Sequence, residues 1–170
     1  MLDSLFQWIS ERFESLYFFA VLEEFEGGVI MRWGKYHKDM KPGVNWMWPV
    51  MESYYSDNIV RKTDNLISQS LYTADDVGVL LSVFISYKIR NVRRWLLEVE
   101  DSNSVLTDMT YGVIAEIVAE STWDEVKHPA FKSRVFYELK QRASKQLGVT
   151  LESVQFCDLT RSKTLRILQD

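Results

Sequence analysis

Cysteine is nearly absent, and this removes several chemistries at once. Cys157 is the only one in 170 residues, which excludes an intramolecular disulfide and any cysteine-rich zinc site. A chain of this length buries a core without such staples, so Cys157 reads as a small buried side chain. The only two histidines, His37 and His128, have no partner at metal-ligand spacing, and no metal or cofactor is expected. Missing too are the GxxxxGKS/T, GxGxxG, GxSxG and HExxH patterns that cradle phosphate, expose a nucleophile or bind zinc. Glu23-Glu24 and Asp75-Asp76 are adjacent carboxylates, which a strand or turn points apart. They read as solvated residues, and no catalytic group is expected.

Positive charge is scarce as well. A formal charge of -4 and a pI near 5.3 argue against the broad basic footprint of a nucleic-acid binder. Long apolar runs are absent: Leu16 to Leu22 and Val77 to Ile85 fall short of the roughly 18 to 20 residues a spanning helix needs. Asp3, Glu11 and Glu14 stand where a secretory signal would be basic or apolar. Neither a spanning helix nor an export signal is expected, and nothing directs export.

Aromatic residues, by contrast, make up 14% of the chain, with six tryptophans, and this surplus points to an interface with lipid or protein. Residues 2–17 read as an amphipathic helix. Leu2, Leu5, Phe6, Ile9, Phe13 and Leu16 recur at spacings of three and four, with polar residues opposite and Trp8 at the edge of the stripe. Such a stripe suits a bilayer surface or the domain's own core; its anionic polar face gains nothing from anionic lipid.

From Phe18 the pattern changes to short strands and turns. Phe18 to Phe25 and Val29 to Trp33 read as a hairpin turning at Gly27-Gly28, and Lys35 to Gly43 as a polar loop ending in Pro42-Gly43. The apolar run Val44 to Met51 follows, with Pro49 excluding a central strand. Lys35, Lys38 and Lys41 beside Trp46, Met47 and Trp48 suit a bilayer interface, where lysine meets phosphate and indole sits at headgroup level. Aromatic burial in a small twisted sheet accounts for the same composition.

Ile59 to Tyr72 reads as a further strand pair broken at Asp64-Asn65. Val77 to Ile89 alternates with one wholly apolar face and needs a cover. Helices over Val92 to Val99 and Val105 to Ser121 supply it, the second capped by Asp101, Ser102 or Ser104. Thr122 to Glu125 matches a capping box, Pro129 opens a helix to Leu147, Gly148 stops it, and Val149 to Phe156 closes the sheet. Arg90, Arg93 and Arg94 read as a solvated helix start, or as a cradle for a lipid headgroup or an acidic neighbour subunit. The fold class is α+β.

The run Glu24 to Tyr36, with its Gly27-Gly28 and Arg32-Trp33-Gly34-Lys35, resembles the opening of SPFH (Band 7; stomatin, prohibitin, flotillin) domains. Lys41-Pro42-Gly43 through Trp48-Pro49 is similar to that family's Pro-Gly loop. Thr73-Ala74-Asp75-Asp76 leading to Tyr87-Lys88-Ile89, and Leu147 to Val154 with Asp158-Leu159, match in the same order. The resemblance spans roughly residues 18 to 160.

It implies a β-rich, membrane-facing subdomain at 18–72 and an α+β subdomain at 73–160, while the amphipathic helix at 1–17 and a short stub at 161–170 are this chain's own flanking segments. It further implies side-by-side homo-oligomers in arcs or rings, a membrane surface as partner, and scaffolding of lipid or of a membrane protease, without catalysis. The family commonly has a transmembrane element before the domain and a long coiled coil after it, and neither is expected here. A soluble ring or shell subunit, or an adaptor that caps a longer SPFH complex, fits the same residues.

Overall fold

The computed structural model describes residues 18–161. The expected helix at 2–17 and the stub from 162 onward lie outside the described residues. The chain divides into two compact units that meet between Val60 and Arg61.

Among the described residues unit one holds five strands: β1 (Phe19–Leu22), β2 (Glu26–Arg32), β3 (Lys35–Met40), β4 (Gly43–Trp46) and β5 (Glu52–Asn58). The expected hairpin through Gly27-Gly28 does not form. β1 pairs antiparallel with β4, while β2 runs between β3 and β5 with both glycines inside it. Gly28 is there for room. A Cβ at that position would meet the Tyr55 carbonyl oxygen at 2.9 Å and Met40 Sδ at 3.1 Å.

The reversal comes later, at Trp33-Gly34, whose φ angles of 51° and 73° belong to a type I′ turn. The expected polar loop over Lys35 to Gly43 is therefore largely strand, paired back on β2. Ala20, Leu22, Ile30, Met40 and Met47 form the small core beneath.

Unit two is built on the three-stranded antiparallel sheet β6 (Lys62–Tyr72), β7 (Gly78–Ile89) and β8 (Val149–Arg161), in that order. The residues read as a broken pair are one strand, β6, irregular only between Leu66 and Gln69. Because β6 pairs along β7, it belongs to this unit, and the division falls at Val60 rather than at 72.

Four helices join β7 to β8: α1 (Val92–Leu97), α2 (Ser102–Glu120), α3 (Trp123–Lys127) and α4 (Pro129–Leu147). Their ends are those the sequence marks. Asp101 accepts from the N–H groups of Asn103 and Ser104, Thr122 and Glu125 form the capping box, and Gly148 leaves α4 in the left-handed conformation at φ 66°. α2 lies on β6, α4 on β8, and the two helices pack together. The apolar face of β7, from Val79 to Ile89 in steps of two, is wholly buried with Leu106, Val113, Ile117, Val135 and Leu139, each worth about 1.5 to 3 kcal/mol when fully buried.

Candidate functional site

Unit one turns an unusual amount of apolar side chain outward. β1 and β4 alternate as strands must, so Ala20 and Leu22 enter the core while Phe19 and Val21 point away. Across the pair Phe19 stands opposite Trp46 and Val21 opposite Val44, and all four are exposed, by 55% to 74%. Phe18 joins them, its ring centroid 5.9 Å from that of Trp46.

A second apolar group sits where two reversals meet. The Trp33 N–H donates to the Met51 carbonyl at 2.9 Å, and the Glu52 N–H to the Trp48 carbonyl at 3.0 Å. Trp33, Trp48 and Val50 are thereby held outward, all exposed. Val50 has φ 75°, a left-handed conformation that a β-branched residue adopts only under strain.

The carboxylate of Glu52 organises this end. Its side chain is only 2% exposed; Arg32 Nη2 lies 2.6 Å from Oε1, and His37 Nε2 4.0 Å from it. The Trp48 N–H donates to Oε2 at 2.8 Å. Burial works to raise the Glu52 pKa, but the Trp48 N–H and the Arg32 guanidinium outweigh it and hold the group below its ordinary value.

Of the residues singled out from sequence, Trp46 and Trp48 are exposed, and Lys35, Lys38 and Lys41 are exposed in the same unit. Met47 corrects the expectation. Lying between two outward indoles, it turns inward to 6% exposure and joins the core. Leu2, Leu5, Phe6, Trp8, Ile9 and Phe13 lie outside the described residues.

Arg90, Arg93 and Arg94 stand at the start of α1, in unit two. Arg90 and Arg93 are exposed, but Arg94 has a structural post. Its Nη1 donates to the Lys145 carbonyl at 3.0 Å and its Nε to Glu98 at 3.2 Å, tying α1 to the last turn of α4.

Cys157 corrects another expectation, being exposed. Phe156 faces Phe131 in the first turn of α4, with ring centroids 5.6 Å apart, and Cys157 falls at the irregularity of the β7–β8 register between the Val83–Phe156 and Ser82–Asp158 pairs. Among the described residues no group of His, Cys, Asp and Glu could hold a metal ion, and no helix is long and apolar enough to cross a membrane.

Sequence reasoning missed Phe19, Val21, Val44 and Val50. The alternation in β1 was visible, but which face is bare follows from the pairing with β4. The strained φ of Val50 carried no signal at all.

Comparison with known proteins adds the following. The model of a family described as SPFH domain / Band 7 family matches residues 20–168. An uncharacterized protein of Methanocaldococcus jannaschii is 25% identical over 138 residues, covering 80% of this chain and 69% of that one. The Modulator of FtsH protease HflK of Escherichia coli K12 is 23% identical over 142 residues, 81% of this chain and 34% of its own length. Protein HflK of Vibrio cholerae is 26% identical over 108 residues, 64% of this chain. The chain thus spans about a third or less of the HflK relatives it matches.

Proposed function

Since the chain belongs to the SPFH domain / Band 7 family, we propose that it is a non-enzymatic, peripheral scaffold that meets a membrane through unit one and assembles side by side with copies of itself. The observation that carries this reading is the outward apolar surface of unit one, with Trp46 and Trp48 exposed, as are Lys35, Lys38 and Lys41 of the same unit. Indole and lysine together match the headgroup layer, where a ring is half wet and an ammonium finds phosphate. A water-exposed apolar surface of this kind on a folded unit marks an interaction site.

The amphipathic stripe at 2–17 supplies a second contact in this reading, and the surface served is the cytoplasmic leaflet. A membrane protease is the first partner class in this reading, supported by the Escherichia coli relative, a modulator of FtsH protease. A longer protein of the same family is the other partner class. The domain division at 1–17, 18–72, 73–160 and 161–170 is retained as a functional one, with the fold-level boundary at Val60.

Vesicle flotation with a measurement of particle mass tests the reading. The protein floats with neutral and anionic vesicles alike, survives raised salt because apolar burial drives the contact, and gains mass on the membrane. Phe6→Asp with Phe13→Asp is expected to reduce flotation while leaving the thermal midpoint close to that of the parent. A stable ring in solution with no flotation would replace this reading with a soluble assembly, and a large fall in the midpoint would place segment 2–17 in a core.

A further inference from the structure

β8 is the last strand of its sheet and, among the described residues, pairs on one side only, along β7. Alternate residues along its thirteen-residue length therefore present backbone N–H and C=O groups to the outside, an arrangement folded proteins usually blunt. α4 lies over β8 and uses three sides of its surface differently. Phe131, Val135 and Leu139 face inward. Arg134 and Arg142 reach sideways to Glu120 and Glu116 of α2. The remaining flank, with Lys132, Ser133 and Phe136, stands away from α2, and together with Glu152 to Gln155 of β8 it lines an open groove of about 310 Å³.

A strand edge beside a helix flank is the setting in which an extended peptide adds to a sheet: main-chain hydrogen bonds supply the hold, and pockets for alternate side chains supply selection. Phe136 offers the apolar contact. The charge is one-sided. Glu152 on the strand wall is ion-paired with Arg61, while Lys132 is exposed and Lys140 Nζ lies 5.5 Å from the centre of the Phe136 ring. The geometry points to an occupant of defined chemistry: an extended peptide segment with alternating apolar and acidic residues, added as a fourth strand along β8 and held by the lysines of α4. This surface is independent of the membrane-facing one and gives the scaffold a place to hold a protein client.

The full-length chain is titrated with a blocked seven-residue peptide of alternating valine and glutamate, and in parallel with its valine–lysine counterpart. Backbone amide shifts report the site. The glutamate peptide is expected to move the amides of 152–155 and slow their hydrogen exchange, the lysine peptide to do neither, and N-methylation of alternate peptide bonds to abolish the effect. Lys132→Glu with Lys140→Glu weakens the glutamate peptide roughly five- to tenfold, the size of a lost exposed charge pair or two, and Ser133→Trp, which fills the groove from an exposed position, removes binding. Vesicle flotation is unchanged by either variant. Equal response to both peptides, no shift at 152–155, or an affinity indifferent to the lysine reversals overturns the proposal. So does full exchange protection of the β8 edge in the free protein, which would mean that another part of the chain or a second copy already occupies it.

Discussion

Phe19 lies directly opposite Trp46 across the β1–β4 pair, and both rings stand outward, 55% and 60% exposed. Cross-strand aromatic pairs stabilise a sheet by a few tenths to about 1 kcal/mol, far less than either ring stands to gain from leaving water. The pair therefore contributes more to what unit one can bind than to how it folds.

Trp46→Ala with Trp48→Ala is accordingly expected to lower vesicle binding by tenfold or more, at roughly 1 to 2 kcal/mol lost per indole. Thermal stability should change by less than about 1 kcal/mol. Met47→Ala is the internal control. It faces the core at 6% exposure and is expected to cost about 2 to 5 kcal/mol of stability in a chemical denaturation experiment.

Gly28→Ala places a methyl 2.9 Å from the Tyr55 carbonyl oxygen. A backbone atom in a paired strand cannot step aside as a side-chain end can. Destabilisation of about 1 to 3 kcal/mol is expected, read as a lowered denaturation midpoint with unit-one amides exchanging first.

Glu52 makes the end that carries Trp33 and Trp48 acid-sensitive. Its folded pKa lies below the ordinary 4.5, so the stability it contributes is fully present above that value and is lost as pH falls through the lower folded pKa. Amides of Trp33 and Trp48 followed during acid titration are expected to broaden and shift below pH 4.5. In Glu52→Gln the same amides are loosened already at neutral pH, because Arg32 loses its partner, and they show no further titration step from this site.

Val50→Gly tests the strained turn. Relieving a β-branched residue at φ 75° is expected to offset the entropy cost of glycine and leave unit one as stable or about 1 kcal/mol more so. Removing an 87% exposed apolar side chain at the same time lowers vesicle binding. A variant that is stabilised and floats as before would dissociate Val50 from the interface.

The helical half of the fold was legible to within a turn at each helix end because its signals are local. Asp101, the Thr122 and Glu125 box, Pro129 and Gly148 each act on backbone groups within one turn of themselves. The β-rich half was less legible, since a strand's partner is chosen by residues far along the chain. Glycines at 27 and 28 carry the same letters whether they make a turn or let two strands approach. Met47 could not be told from Trp46 and Trp48 by composition, only by the alternation that starts at β4. Glu52 was invisible as an organiser because Arg32 meets it only when β2 pairs with β5 and His37 only when β3 folds back on β2, which leaves Trp48, four residues away, as its one local partner of the three.

The pairing of β7 with β8 sets an order of events for the growing chain. Ile89 meets Val149 and Val79 meets Arg161, so the central strand of unit two is complete long before its second neighbour has been made. Until all four intervening helices have been synthesised, β7 has only β6 beside it, and the core that covers its inward valines and isoleucines is incomplete. Contacts of such long sequence separation form late and slowly. A chain interrupted between the end of α4 and β8 thus carries most apolar side chains of the finished unit without the strand that lets them close.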